Sequence, residues 1–374
     1  MEFFLDPNGD DIKLTWRTDQ AGSREKPLLI SKLLLQQRGK EIRDDLTSLS
    51  KYVETFKLNP GRDPGWERYV AILSDLRTHG RALHKALFPF NDPRARRLAA
   101  ELAAASPRHA ELTIHCSDEQ VTLPFGFVFC DEQRRPLAIL SHPNRADFSG
   151  FWVNRYRISL LIAGGRCNSL NIDPNSFRSL YAMDQTEFAD IFDLIGTDGD
   201  RLDLLLKNIE SKKAYYSWRE AGEACRQMAD SNRVVFVFGH SDGDYLKLSG
   251  TEKIDSGSFA EILRRDQRET QTTLLILNCC CSVAGQEHCS LLGSVAAPGF
   301  CGLVGTEAEI VNTHAIRCGT RLMWAMCARG LSLGKAFDRM QRDEDLFPLN
   351  LLYTCYADRR FRLTRPFEGL QLAA

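Results

Sequence analysis

Two short stretches of this 374-residue chain combine side chains able to do covalent chemistry. Val234-Val235-Phe236-Val237-Phe238 runs into Gly239-His240-Ser241-Asp242-Gly243-Asp244, and Thr273-Leu274-Leu275-Ile276-Leu277 runs into Asn278-Cys279-Cys280-Cys281-Ser282. Each begins as a near-continuous apolar run of strand length, the pattern of a strand buried on both faces of a parallel sheet. In open parallel sheets functional groups gather just beyond the carboxyl ends of the strands. If the two strands are neighbours, an imidazole and a thiol meet at one edge. A thiol beside an imidazole can lose its proton near neutral pH and attack a carbonyl, and adjacent backbone N–H groups can hold the oxyanion that forms. Taken singly, a histidine after a strand is more often structural and a buried cysteine acts as a small hydrophobe. The chemistry therefore depends on the two strands being adjacent.

Other reactive residues have simpler readings. Cys279, Cys281, His288, Cys289 and Cys301 lie close in sequence, but none forms the Cys-x-x-Cys pair that zinc sites favour, so no metal is expected. Asp198/Asp200 and Asp242/Asp244 flank glycines and read first as turns; the second pair also stands next to His240 and could line a substrate subsite. Asp6-Pro7-Asn8-Gly9-Asp10 lacks the spaced carboxylates and terminal Glu of a calcium loop and reads as a hairpin turn between Met1–Leu5 and Ile12–Trp16.

The remaining elements must position these residues. Residues 28–105 read as helices, with Leu46, Leu49, Val53 and Phe56, then Tyr69, Leu73, Leu76, Leu83 and Leu87, at helical spacing. Asn59-Pro60-Gly61 and Phe88-Pro89-Phe90 punctuate them. After Pro107 strands and helices alternate. Strands are expected at Glu111–Cys116, Thr122–Phe129, Tyr156–Ala163, Leu180–Met183, Gly302–Gly305 and Leu351–Tyr356. Helices are expected at Gln185–Ile195, Trp218–Met228, Ala315–Ala328 and Leu333–Arg342. This alternation predicts a three-layer α/β domain with a mostly parallel sheet over residues 108–374, preceded by a hairpin and helical region over residues 1–107.

At the two reactive stretches the sequence resembles the CHAT family of caspase-like cysteine peptidases, related more distantly to caspases, separases and gingipains. The resemblance rests on Val-Phe-Val-Phe-Gly-His240 and on Leu277-Asn278-Cys279-Cys280-Cys281-Ser282. Further matches are Leu123-Pro124-Phe125-Gly126, Phe151-Trp152 through Arg155-Tyr156-Arg157-Ile158, Gly302 through Glu307, Gly330 through Ala336, and Pro348 through Tyr353. It spans residues 110 to 362 and is densest after 230. It implies a caspase-like fold in which His240 polarises the scissile carbonyl or manages protons and Cys280 attacks to form a thioester, without a cofactor. The backbone N–H groups of Ser241 and Cys280 would form the oxyanion site. Ser241 stands where the family commonly has Gly, so the donor there needs a geometry that Ser adopts less freely. Alternation of side chains at a strand end would set Cys280 opposite to Cys279 and Cys281. Glu307, Glu309, Asp242 and Asp244 would line the pocket for the residue before the cut and favour Arg or Lys there. An internal salt bridge of the acidic loop, for instance to Arg317 or Arg321, is the structural alternative.

The composition, 43% hydrophobic and 26% charged, sits near the averages for soluble globular proteins. Lys plus Arg number 48 against 49 Asp plus Glu, for a net charge of −1, so nothing suggests a chain built to hold nucleic acid. No apolar run approaches the ~20 residues needed to span a bilayer, and the opening Met1-Glu2-Phe3-Phe4-Leu5-Asp6 lacks the basic start and long apolar core of a signal peptide. The 12 cysteines are scattered, three of them consecutive, which argues for reduced thiols and a cytoplasmic location. The expected function is that of a cytosolic endopeptidase cleaving a protein substrate, regulated by a separate activating or inhibitory protein, in a bacterial defence or regulated-death system. The alternatives are an inactive scaffold of the same fold and, from another class, a thiol redox or metal-binding regulator.

Overall fold

The computed structural model describes residues 1–17, 26–58, 65–104, 110–117, 122–130, 144–162, 169–209, 214–242, 244–248, 252–264, 271–284, 291–296 and 298–371. The turn expected at Asn59-Pro60-Gly61, together with Gly243, His288 and Cys289, lies outside them. The chain divides into two compact units, Met1–Leu160 and Leu161–Ala374.

In the first unit, β1 (Glu2–Asn8) and β2 (Asp11–Arg17) form the expected hairpin. Its turn is tighter than the run of turn formers suggests: Asn8 pairs with Asp11, and Gly9 takes a positive φ of 66°. Pro7 is accommodated because β4 (Glu111–Cys116) pairs only with Glu2 through Leu5, so no second strand needs the amide that proline lacks. With β3 (Leu28–Ser31) and β5 (Arg157–Ile162) these make a five-stranded sheet in the order β3-β2-β1-β4-β5. The helical region contains α1 (Lys32–Leu58), α2 (Trp66–Leu87) and α3 (Pro93–Ala104), with the stripe Tyr69, Leu73, Leu76, Leu83 and Leu87 fully buried.

The run at Thr122–Phe129 is not a strand. It folds as a 3₁₀ turn, Phe125–Phe127, followed by a single bridge from Phe129 to Phe151. Pro124 removes a ladder donor; Phe125 is buried, and Phe127 and Phe129 join an aromatic cluster with Phe148 and Phe151, just before the short helix α4 (Trp152–Arg155).

The second unit carries a six-stranded sheet in the order β15-β14-β13-β9-β7-β8. Its strands are β7 (Phe177–Met183), β8 (Ala214–Tyr215), β9 (Asn232–Phe238), β13 (Thr273–Asn278), β14 (Phe300–Thr306) and β15 (Tyr353–Ala357). All run parallel except β15, which returns antiparallel on β14. Small pairings sit outside it: β6 (Asn171–Ile172) with β16 (Arg362–Leu363), and the sheet of β10 (His240–Ser241), β11 (Tyr245–Lys247) and β12 (Lys253–Asp255).

Helices cover both faces, giving the expected three-layer α/β sandwich. One layer holds α7 (Trp218–Gln227) and α8 (Ser256–Arg264), in contact with each other. The other holds α6 (Thr197–Asn208), α9 (Asn312–Cys327) and α10 (Leu333–Gln341), with α5 (Gln185–Phe192) and α11 (Glu368–Gln371) at its margins. Val234 through Phe238 and Leu274 through Leu277 are each at most 1% exposed. Burial of each such side chain is worth about 1.5–3 kcal/mol, so these two strands are the apolar axis of the domain. No helix among the described residues is long and apolar enough to cross a membrane.

Two buried charges tie the helices to this axis. Arg233 opens β9 with its guanidinium out of contact with water, donating to Thr273 Oγ1 and to the carbonyls of Cys225 in α7 and Leu263 at the end of α8. A cation at two helix C-termini is favourable because the carbonyl ends carry partial negative charge. Asp198 is the other. It lies in the first turn of α6 rather than in a turn between elements, 1% exposed, and its carboxylate receives Arg201 (2.8 Å), Arg317 (3.1 Å) and Arg321 (3.0 Å). Arg317 and Arg321 are thus spent on Asp198, with Arg321 also reaching Asp343, and not on the acidic loop at Glu307–Glu309.

Burial opposes ionisation of Asp198, but Arg321, Arg317 and Arg201 outweigh it and hold the carboxyl below its ordinary value of 3.8. A lowered folded value means that the contribution to stability is complete above the unfolded value near 3.8 and is lost as pH falls through the lower folded one. Asp198→Ala leaves three guanidiniums without their shared anion and should cost about 3–5 kcal/mol. Urea melts of wild type and variant at pH 7 and at pH 3 should show that gap narrowing at the lower pH.

Candidate active site

The parallel pairing of β9 with β13 ends with Phe238 opposite Asn278. Gly239-His240 and Cys279-Cys280 follow directly after the two strands. The histidine and the middle cysteine therefore leave the sheet at the same level of the same edge, on strands about 4.8 Å apart.

The cysteine triplet does not continue the strand. β13 stops at Asn278 and residues 279–281 turn, with Cys281 at a φ of 51°, so side-chain alternation does not carry through the triplet. Burial distinguishes the three instead. Cys279 is 1% exposed, with Sγ 3.9 Å from the Val237 carbonyl, and burial pushes its thiol far above the ordinary range. Cys280 and Cys281 are half-buried. Cys281 N–H donates to Ala308 O at 3.1 Å.

The turn is fastened to the end of β14. Thr306 Oγ1 donates to Cys279 O (2.5 Å), Thr306 N–H to Ser282 Oγ (2.8 Å), and Ser282 Oγ to Leu277 O (3.2 Å). Gly305 makes room for this: a Cβ there would lie 2.5 Å from Ser282 Oγ. Tyr353 OH donates to Asn278 Oδ1 at 2.8 Å, which gives the Pro348–Tyr353 segment a supporting role beneath the site.

The Cys280 thiol lies against the backbone of Ile310, accepting its N–H at 3.4 Å and facing its carbonyl at 3.6 Å. Burial raises its pKa above 9.0 and outweighs the lowering by the Ile310 N–H; the carboxylates of Glu309 and Glu187 push it further in the same direction. The resting thiol is therefore protonated at neutral pH.

His240 is half-exposed, and its Nε2 pairs with Glu187 Oε1. Among the described residues no hydrogen bond joins the His240 and Cys280 side chains. Glu187 was not singled out from the sequence. Its local signal, Asp184-Gln185-Thr186-Glu187 after a strand, reads as a helix capping box. Asp184 does cap α5, accepting from Thr186 N–H (3.0 Å) and Glu187 N–H (3.1 Å). The carboxylate of Glu187 does not return to the cap, because Asp184 N–H is already given to Phe238 O at 2.8 Å. It turns outward, with Oε1 on His240 and Oε2 accepting from Asn312 Nδ2 at 2.8 Å. Burial raises the pKa of Glu187, His240 opposes that rise and Asp184 adds to it.

The other sequence candidates are placed as follows. Ser241 belongs to β10 and pairs with Leu246; among the described residues Cys281 is the only non-glycine with positive φ, so Ser241 has an ordinary backbone. Asp242 is exposed and its Oδ1 accepts from the N–H groups of Asp244 (3.1 Å) and Tyr245 (2.9 Å), the turn its sequence suggests. Asp244 is half-buried. Glu307 is fully buried at the end of β14 and its N–H donates to Leu352 O at 2.9 Å, whereas Glu309 is exposed and near enough to act on the Cys280 thiol. No group of His, Cys, Asp and Glu able to hold a metal ion occurs among the described residues.

Removing the Glu309 charge should lower the pKa of Cys280, because one of the anions opposing the thiolate is gone. Glu309→Gln should then speed alkylation of Cys280 by iodoacetamide at pH 7 by roughly threefold, the factor for a screened interaction of about 0.7 kcal/mol. Peptide mass spectrometry of the labelled protein checks this, and the wild-type rate should still be climbing at pH 9.

No protein-family profile matches the chain, and no curated protein matches it in sequence. Among solved structures it is similar to separase in the Saccharomyces cerevisiae separase–securin complex, with 8% sequence identity and a TM-score of 0.46. The likeness covers 94% of this chain and 29% of that one, so the chain spans less than a third of its neighbour's length.

Proposed function

We propose that this chain is a cysteine endopeptidase of the caspase-like type that uses His240 and Cys280 as a dyad. The observation that carries the reading is the register of β9 and β13, which brings an imidazole and a half-buried thiol to one sheet edge. In the reaction, the Cys280 proton passes to His240 as Sγ bonds to the scissile carbonyl carbon and the C=O electron pair moves to oxygen. Backbone N–H groups of Ser241 and Cys280 hold that oxyanion. Collapse breaks the C–N bond, His240 gives its proton to the leaving amine, and a thioester remains. Water then adds, His240 takes its proton, and the departing Sγ recovers it. No cofactor enters any step.

The substrate is a protein, and the carboxylates of Glu309, Asp242 and Asp244 favour Arg or Lys before the cut; Glu307, expected from the sequence in the same pocket, is fully buried. The protonated thiol, held by Ile310 and opposed by two carboxylates, supports a latent resting state. Activation by a separate protein, in the cytoplasm of a bacterial defence or regulated-death system, fits such latency. The same thiol contact supports a second reading, an inactive scaffold of the same fold.

The proteins cleaved in the host by wild type should remain intact with Cys280→Ala, while Cys279→Ala and Cys281→Ser retain much of the cleavage. Proteome-wide comparison of new N-termini decides this: cleavage by Cys280→Ala at the wild-type level would overturn the assignment of Cys280 as nucleophile, and no new N-termini from wild type would favour the scaffold. A peptide library should show Arg or Lys before the cut, with Glu309→Gln losing about tenfold more on Arg peptides than on neutral ones, the loss of one charge-assisted contact of about 1.4 kcal/mol. A small or aliphatic residue at that position would assign the acidic loop to structure.

A further inference from the structure

Glu187 is separated from His240 by 53 residues of chain, yet its carboxylate is the group the imidazole touches. We propose that Glu187 is the positioning residue of the site: held by Asn312, it fixes the His240 ring through Nε2 and leaves Nδ1 as the nitrogen that exchanges a proton with Cys280. This rests on the peptidase reading above.

Three observations converge on it. Glu187 is free of the capping role its sequence position suggests, because Asp184 N–H is bound to Phe238 at the end of β9. Both of its carboxylate oxygens are used, one on His240 and one on Asn312 Nδ2. Its side chain is only 20% exposed, a position where a carboxylate costs free energy unless partners of this kind meet it. Asn312 opens α9 two residues after Ile310, whose backbone holds the Cys280 thiol. One short segment therefore sets the partner of the histidine and the contact of the cysteine together. The other charges facing Glu187 are Asp184 on its own helix and Lys247, which pairs with His240 across β10 and β11; Glu309 faces Cys280 from the loop before α9.

A histidine whose Nε2–H is given to a carboxylate has one nitrogen left to accept a proton. When the Cys280 proton moves to Nδ1 and Sγ bonds to the carbonyl carbon, the imidazolium charge is shared with Glu187 through Nε2–H. When the C–N bond breaks, the Nδ1 proton leaves with the amine and the ring returns to the same tautomer. Glu187 touches neither substrate nor the reacting atoms, so its effect belongs in kcat and in the state of the ring.

The test compares full-length wild type, Glu187→Gln, Glu187→Ala and Asn312→Ala, labelled with ring-¹⁵N histidine, with Cys280→Ala as reference. Neutral His240 should be the Nε2–H tautomer in wild type and in Glu187→Gln, whose amide oxygen still accepts that proton, and a mixture of tautomers in Glu187→Ala. On a fluorogenic peptide amide with Arg at the cleaved bond, kcat should fall about 100-fold in Glu187→Ala and about tenfold in Glu187→Gln and Asn312→Ala, with KM within about twofold of wild type. An unchanged tautomer in Glu187→Ala overturns the proposal, as does an unchanged kcat. Hydrolysis persisting in Cys280→Ala would instead overturn the peptidase reading, while the tautomer comparison still decides whether Glu187 sets the ring.

Discussion

The parallel pairing of β9 with β13 is the constraint on which the rest of this site depends. Two apolar strands, buried on both faces, must end together before an imidazole and a thiol separated by 40 residues can share a sheet edge. Parallel ladders allow no short connection between partners, and here the crossover runs through the β10–β12 sheet and α8. The buried Arg233 secures the other end of the same strands by drawing the C-termini of α7 and α8 onto β9 and β13. Register at the reactive edge is thus held by burial along the strands and by a charge at their start.

Around that edge the polar interior is arranged as a chain of fixed points. Asp198 binds α6 to α9 through Arg317 and Arg321, and α9 presents Asn312 to Glu187 at its first residue. Thr306, Ser282 and Tyr353 fasten the cysteine turn to β14 and β15. These contacts leave the Cys280 thiol on the Ile310 backbone and the His240 ring on Glu187, each engaged with a group other than the opposite member of the pair. Burial and two carboxylates keep the thiol neutral. Among the described residues the turn holds one non-glycine of positive φ, Cys281.

The central strands of the second unit are legible because burial on both faces writes itself as a continuous apolar run, whereas the two-residue β8 carries no such run. β9 and β13 follow their expected limits closely, and β7 and β14 extend theirs by a few residues. The amphipathic helices α7, α9 and α10 were legible from their spacing. Asp198-Gly199-Asp200 reads as a turn because acidic residues around a glycine are the ordinary mark of one; it opens α6 instead, and two of the three arginines that meet Asp198 lie more than 100 residues away. Thr122–Phe129 reads as a strand because its phenylalanines suit one, and burial of Phe127 and Phe129 in an aromatic cluster decides otherwise.

The sequence by itself determined the two reactive segments, the apolar strands that carry them and the α/β layering, since each is recorded in local residue pattern. Only the tertiary structure decided which residues meet there. Glu187 carries a capping pattern that is true locally and silent about His240. Which of three adjacent cysteines is buried depends on where β13 stops and on the Ile310 backbone that covers the turn. Glu307 and Glu309 look equivalent in sequence, yet one is buried and the other exposed. Such differences come from contacts between residues far apart in the chain, whose energies no local pattern records.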